Sequence, residues 1–524
     1  MKAPRRKTDS TPVAAFLAAC AAGLYIAVFY TVNNLTMLRA GSILFLSGMM
    51  IVPLAVSVLV VYALLRLSGR VGWSGWVVAL MISMFLLFML RPSLRDFEFV
   101  DRYFRAFSPS LSGLATSLFV LVPALFLALA FRRRLKEYAA ILGLMTLAAL
   151  VLGSGKAAAQ SGQGNGQGEE GAANHQHVAF AATPNIYFIL ADAYGSLAYM
   201  REHHIDVSEL TGFLSETGFR LYDDTYSNYQ PTTSALPAML DMAHHYYGLT
   251  GHHVEFSEVD RASRRVIGGD NRVSDILREN GYSIQYIHNG TYLLLQGCSA
   301  DVCFPEIDGL AGARIILSHI FKKDLLADED KAWETKTLEE MSAQVSTLLD
   351  DPGNEPRFQY IHAFKPGHPP NAKGRCDESF ELERYADRVR AAGRFLSGQI
   401  GRIIERDPAA VIVLAGDHGP FLSNGCASNA YIDTAADYRD RAGALMAIRW
   451  PQGYDGRYDE RISSGVNLFR YVLAALAETP SQLLERAVPD DVFVRGGRKV
   501  FKVLENGRPL EPPEPTEWPR RSRK

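Results

Sequence analysis

What this sequence lacks narrows it first. It has no surplus of positive charge: 54 Lys and Arg stand against 56 Asp and Glu, a formal net charge of -2. Nothing is left over to track a phosphate backbone, which argues against nucleic acid as the main partner. Cysteine is scarce, five in 524 residues, and no spacing among them is that of a zinc ribbon. No internal repeat is visible. No small-residue cleavage site follows the first apolar segment, which argues against a removed signal peptide. Long apolar runs are missing after residue 155, so the 48% hydrophobic composition is loaded into the first third of the chain. Two solvents are implied.

That first third contains five apolar segments near bilayer length: Val13 to Val32, Ile43 to Leu65, Trp73 to Leu90, Leu114 to Phe131 and Ala139 to Leu152. In a five-span arrangement the basic clusters Lys2/Arg5/Arg6/Lys7, Arg66/Arg70 and Arg132/Arg133/Arg134/Lys136 all fall on one side. The positive-inside rule makes that side cytoplasmic. The loop Arg91 to Ser112, with Asp96, Glu98 and Asp101, then lies outside, as does everything after residue 155. The expectation is an integral protein of a cytoplasmic membrane with its large domain exported. Four spans would reverse that, so the short fifth segment decides the topology. Cysteine placement agrees. Cys20 sits in the first span, while Cys298, Cys303, Cys376 and Cys426 form an even set in the exported part. Cys298 and Cys303 are near enough to close a small loop, leaving Cys376 with Cys426; unpaired buried thiols are the alternative.

Four stretches follow: a transmembrane domain of five helices (1–153), a linker rich in Gly, Ala, Gln and Ser (154–180), an α/β domain (181–500) and a C-terminal extension (501–524). The linker composition cannot offset its ordering entropy and predicts flexibility, and the proline-rich end of the extension predicts a disordered tail. Within the α/β domain, buried-strand runs (Ile186 to Ala191, Ile284 to Ile287, Phe358 to Ala363, Val411 to Ala415, Leu445 to Ile448) alternate with helical stretches. The latter are Val207 to Glu216, Arg272 to Asn280, Asp330 to Leu349, Leu382 to Arg406 and Val466 to Leu476. That alternation predicts a mostly parallel sheet covered on both faces, whose chemistry gathers at the carboxyl ends of its strands.

Four elements carry candidate chemistry. The first strand ends in Asp192 and the fourth in Gly416-Asp417-His418-Gly419, so two buried strands deliver carboxylates and an imidazole to one edge. These are ligands suited to Zn²⁺ or Mn²⁺; an aspartate at such a turn can also simply cap the next helix. Between them, Ser227 to Leu240 places Thr232 or Thr233 at a helix N-terminus, with Pro237 expected in the first turn. There the free amides and helix dipole favour a phosphoryl or sulfuryl group, and a metal or base could activate the hydroxyl. The fourth element, Tyr360 to Pro370, offers His362 and His368 to hold substrate oxygens or protonate a leaving group. The paired histidines at 203/204, 244/245 and 252/253 read as solvated or cleft-lining.

In this order and combination the four elements resemble the sulfatase-type branch of the alkaline phosphatase superfamily. The likeness is to its membrane-bound members: lipoteichoic acid synthases, phosphoethanolamine transferases and phosphoglycerol transferases. It covers about Pro184 to Ala477 and extends to the five-span N-terminus. Asn185 to Asp192 matches the opening strand and metal ligand. Tyr229-Gln-Pro-Thr232 followed by Ala235 to Leu240 matches the nucleophile segment and selects Thr232 over Thr233. His368-Pro-Pro matches a substrate histidine, Asp417-His418-Gly419 the second ligand pair, and Gly465 to Arg470 a late helix. The resemblance implies an alkaline phosphatase-like sheet behind a transmembrane bundle. It implies one divalent metal on Asp192, Thr232, Asp417 and His418, with Zn²⁺ or Mn²⁺ ahead of Mg²⁺ or Ca²⁺. Thr232 would form a phosphothreonine while His368, with His362, steadies phosphoryl oxygens. A lipid donor would supply a phosphoethanolamine or phosphoglycerol group to an envelope glycan or lipid.

Three departures sharpen this. Thr232 is followed by Thr233, Ser234, Ala235 and Leu236, not by the Pro/Ala and Arg pattern of formylglycine sulfatases, so sulfatase chemistry is disfavoured. Ala193 replaces the second acidic residue of two-carboxylate relatives, favouring a single metal, and Ala235 replaces an expected serine. A membrane-anchored ester hydrolase would share every ligand and differ in using water as acceptor. A non-catalytic binding module of the same fold is opposed by the intact ligand positions.

Overall fold

The computed structural model describes residues 12–34, 38, 40–70, 73–94, 112–151, 177–244, 263–306, 310–321, 337–351, 353, 355–367, 378–422, 435–496 and 499–510. The chain divides into two compact units: residues 1–173 with 308–330, and residues 174–307 with 331–524.

The first unit is helical. Its helices are α1 (Pro12–Asn33), α2 (Ala40–Leu67), α3 (Ser74–Leu94), α4 (Ser112–Phe131) and α5 (135–151). At 22 and 28 residues, α1 and α2 are long and apolar enough to cross a bilayer. The apolar stretches described in α3 and α4, Ser74–Leu90 and Val120–Phe131, are shorter. Small residues let α1 approach its neighbour: Ala15, Ala18, Ala19 and Ala22 are fully buried, and a Cβ on Gly23 would lie 2.7 Å from the Ile51 Cα. Polar side chains on these helices are paired internally, Tyr30 donating to the Met89 carbonyl (2.5 Å) and Ser83 bonding Tyr138 (2.8 Å). Leu44, Val52, Leu64, Leu144 and Val151 face outward and exposed. Apolar on outer and inner faces alike, these helices have the pattern of a lipid solvent.

The second unit is α/β. A seven-stranded sheet is built from β1 (Ile186–Ala191), β2 (Arg220–Tyr222), β3 (Ser283–His288), β4 (Val302–Phe304), β5 (Arg357–Ala363), β6 (Val411–Gly416) and β7 (Met446–Arg449), in the order β2-β7-β6-β1-β5-β3-β4. The five strands from β6 to β4 run parallel, and β7 and β2 add an antiparallel edge. Every residue of β1, β5 and β6 is buried, as a sheet covered on both faces requires. Phe188, Leu190, Tyr360 and Val413 pack on one side with α6 (Thr232–Asp241) and α8 (Leu468–Ala474). On the other, Tyr187, Ile189, Ile361 and Leu414 pack with α7 (Glu378–Arg406) and the helix Leu338–Asp350.

The mostly parallel sheet expected from the alternation is present, with three differences. The Leu445 to Ile448 strand runs antiparallel as Met446–Arg449, which a buried apolar run does not reveal. The three-residue strands β2 and β4 are too short to show a period. A second sheet of β8 (Val492–Gly496), β9 (Lys499–Glu505) and β10 (Arg508–Pro509) follows, and β9 runs across the expected boundary at residue 500. The Cys298–Cys303 disulfide is formed. Cys376, Cys426, the C-terminal tail and the linker before residue 177 lie outside the described residues.

Candidate metal and nucleophile site

The register of the sheet brings the sequence-distant elements together. Strand β1 lies between β5 and β6, with Ala191 opposite both Ala363 and Gly416. The residues that leave these strands, Asp192 and Asp417-His418, are therefore neighbours by construction. Asp192 is fixed through its backbone: its N–H donates to the Ala363 carbonyl (3.0 Å) and its carbonyl accepts from Gly367 (2.9 Å). The following Ala193 takes a left-handed conformation (φ 57°). That turns its N–H onto Asp417 Oδ1 at 2.9 Å, while Tyr385 of α7 bonds its carbonyl at 2.8 Å.

Two glycines permit the Asp417-His418 turn. A Cβ on Gly416 would meet the Tyr194 carbonyl oxygen at 2.4 Å, and one on Gly419 would meet the Asp440 carbonyl oxygen at 2.3 Å. The His418 ring stacks on Phe421 with centroids 4.7 Å apart. Its Nδ1 lies 2.9 Å from the Gly419 carbonyl oxygen, an acceptor, which favours a proton on Nδ1 and turns Nε2 towards Thr232 and Asp417. That tautomer is the one a metal ligand needs.

Thr232 completes the group. It is the first residue of α6, capped by Pro231 without a side-chain hydrogen bond, so the helix start is open to an anion. The hydroxyl Oγ1 lies 2.5 Å from Asp417 Oδ2, 3.2 Å from His418 Nε2 and 3.5 Å from Asp192 Oδ1. Thr233 is buried in the helix and makes no part of this cluster. Pro237, expected in the first turn, sits in the second, because the helix already begins at Thr232. One ligand atom each from Asp192, Asp417 and His418 lies within 4.8 Å of the others, the one such group among the described residues that could hold a metal ion.

The electrostatics fit a cation. Burial, reinforced by the neighbouring Asp417 carboxylate, pushes Asp192 well above the usual carboxylate range. Two enclosed carboxyl groups with an imidazole nitrogen beside them form a pocket of donor atoms that a divalent ion would draw together. An oxygen-and-nitrogen donor set of this kind suits Zn²⁺ or Mn²⁺.

His362 stands at the end of β5, wholly buried. Burial, with a contribution from His418, pushes it down to about 3, so the ring is neutral, and its Nε2 has no partner. Beside it in register on β3 is His288, also wholly buried, centroids 5.3 Å apart, with neither ring nitrogen paired. Burial and His362 push His288 well below the ordinary imidazole value. His288 was missed from the sequence, although the strand-end rule that selects Asp192 and Asp417 also points to the residue after Ile284 to Ile287. Asn289 was missed too: its side chain accepts the Phe364 N–H at 2.8 Å and its own N–H donates to the His362 carbonyl at 3.2 Å, tying the loops after β3 and β5 together. His368 lies outside the described residues. His244, half-buried, bonds Tyr229 (2.6 Å) and the Pro489 carbonyl (2.7 Å) and packs on Phe493.

A family model described as Sulfatase matches residues 184–478. No curated protein matches the chain. Among solved structures, the chain is similar to the integral membrane lipooligosaccharide phosphoethanolamine transferase A from Neisseria meningitidis at 14% identity, covering 89% of this chain and 95% of that one (TM-score 0.40). It is also similar to the C-terminal periplasmic domain of phosphoethanolamine transferase EptC from Campylobacter jejuni, at 13% identity over 57% and 92% of the two chains (TM-score 0.36). A third is an alkaline phosphatase superfamily protein from Vibrio parahaemolyticus, at 13% identity over 64% and 83% (TM-score 0.38).

Proposed function

The chain belongs to the sulfatase family, and from that premise we propose a metal-dependent transferase anchored in the bacterial cytoplasmic membrane by its apolar N-terminal helices. It moves a phospho-alcohol group, of the phosphoethanolamine or phosphoglycerol type, from a lipid donor to an envelope glycan or lipid, through a phosphothreonine at Thr232. The observation that carries this reading is one hydroxyl within 3.5 Å of three candidate ligands drawn from two strand ends.

Each residue has a task its position supports. Asp192, Asp417, His418 and Thr232 would hold the ion, which supplies Lewis acidity and lowers the pKa of the hydroxyl bound to it. Asp417, 2.5 Å from Oγ1, is placed to accept the threonine proton as the oxygen attacks phosphorus. The open start of α6 offers amide N–H groups to the non-bridging oxygens of the transferred group. The family resemblance, rather than position, assigns His368 to the same oxygens, together with His362 as a neutral ring. The phosphothreonine is then discharged to the acceptor alcohol, with the lipid alcohol leaving in the first step. A threonine cannot be converted to formylglycine, and a lipid donor gives the apolar helices a purpose.

The test uses the full chain in vesicles containing phosphatidylethanolamine or phosphatidylglycerol. Intact mass spectrometry should show one adduct at Thr232 whose mass identifies the group, absent from Thr232→Ala and discharged by a glycan acceptor. An adduct discharged equally fast by water alone would make the protein a hydrolase. Turnover by Thr232→Ala at the parent rate would remove the mechanism altogether.

A further inference from the structure

The first compact unit is not confined to the N-terminal third. It also takes in residues 308–330, an insertion that leaves the second unit just after the edge strand β4. The described part is the helix Ala311–Phe321. Ala313, Ile316, Leu317 and Ile320 are at most 9% exposed and belong to the same apolar cluster as Leu46, Met50, Val78 and Ile82 of α2 and α3. Their spacing, i, i+3, i+4, i+7, makes one continuous face. Eleven residues reach about 16 Å, too short for a hydrocarbon core of about 30 Å, so the helix packs on the bundle without spanning.

The chain therefore passes between the units three times, at 173/174, 307/308 and 330/331. We infer that the inserted helix is a second, non-covalent attachment of the α/β unit to the apolar helices, independent of the covalent linker, its partner being the apolar surface of α2 and α3. A linker of that composition over residues 154–180 would alone let the domain wander over roughly 28 Å. Two attachments restrict that search and raise the effective concentration of the site at the bilayer. The segment held this way is informative: it follows β3, whose His288 packs against His362, and the Cys298–Cys303 disulfide that braces the turn into β4. For a donor that resides in the membrane (this clause rests on the proposed function), the attachment keeps the site beside its substrate.

The experiment inserts a site-specific protease sequence after Gly164 of the full chain in open membrane sheets, then cuts, washes in high salt and sediments. The C-terminal fragment should remain with the membranes. In Ile316→Asp/Ile320→Asp the same cut should release it, with at least about tenfold more fragment in the supernatant. Ile316→Ala/Ile320→Ala, which keeps helix propensity, should give intermediate release, and limited proteolysis of the uncut variants checks that the α/β unit stays folded. Release of the fragment from the unmodified chain overturns the inference, and so does equal retention in all three. Because the readout is sedimentation, a failure here leaves the chemistry at Thr232 untouched, and a failure of Thr232 labelling leaves the second attachment standing.

Discussion

Replacing Asp417 by asparagine probes the electrostatics of the site most directly. The ligand atoms of Asp192 and Asp417 lie within 4.8 Å of each other, and both residues are buried. Two full charges at that distance repel by about 3.5 kcal/mol at an effective dielectric constant of ~20. Asparagine keeps the shape and the oxygen that accepts the Ala193 N–H, but removes one charge. The sign follows from linkage. The folded-state pKa of Asp192 is raised, so between the ordinary carboxylate value and the raised one the folded chain holds more protons than the unfolded chain. Stability then falls as pH rises through that window. In chelator at pH 8, Asp417→Asn should therefore melt above the parent by about 5–10 °C, and the gap should close as the pH falls and Asp192 takes up its proton. With Zn²⁺ or Mn²⁺ added the order reverses, because the parent gains and the variant has lost a charged ligand. Turnover should fall by about 10²–10⁴. Scanning calorimetry of the full chain in detergent, following the metal-responsive transition, makes the measurement. If the chelated variant is no more stable than the parent at pH 8, or both gain equally from metal, the paired-carboxylate account is wrong.

Two further outcomes follow from packing. Gly419→Ala places a methyl 2.3 Å from a backbone oxygen and should cost about 1–3 kcal/mol along with activity. Gly398→Ala, in the open interior of α7, should stabilise by up to about 1 kcal/mol; equal effects in denaturant melts would refute the close-approach argument. His288→Phe removes two unpaired buried nitrogens and should stabilise by about 1–3 kcal/mol. Because burial lowers the pKa of His288 and His362, the folded state binds fewer protons below about pH 6.5 and stability is lost as pH falls. The variant should blunt that loss, and an unchanged acid limb in urea titrations would count against it.

Much of the candidate site was legible because strand ends are legible. Ile186 to Ala191 and Val411 to Ala415 are apolar runs too short for helices, and each stops at a carboxylate. In a parallel sheet such ends share an edge whatever their separation in sequence. The same rule was available for Ile284 to Ile287 and His288. Strand direction was not legible: Met446–Arg449 has the composition of a parallel strand and pairs antiparallel, since both are buried on two faces. Nor were β2 and β4, whose three residues leave no periodicity to detect.

The boundary between the units was the least legible feature, for a reason that bears on function. The helix Ala311–Phe321 carries an apolar stripe like any amphipathic helix of a soluble domain. Periodicity says that such a face is buried, and nothing in it says against what. The first unit could be divided from the second by hydropathy only because its helices are apolar all round; a helix that belongs to the first unit through one face, and is too short to span, has no such mark. Its membership follows from Ala313, Ile316, Leu317 and Ile320 sharing a cluster with α2 and α3. A truncation placed in the linker, which hydropathy alone recommends for making the α/β unit by itself, would thus carry this face away from the surface that buries it. Such a fragment should self-associate or bind detergent, and replacing Ile316 and Ile320 with aspartate should restore a monomer on size exclusion. A truncated fragment that is monomeric without those changes would show that the face is not apolar enough to matter.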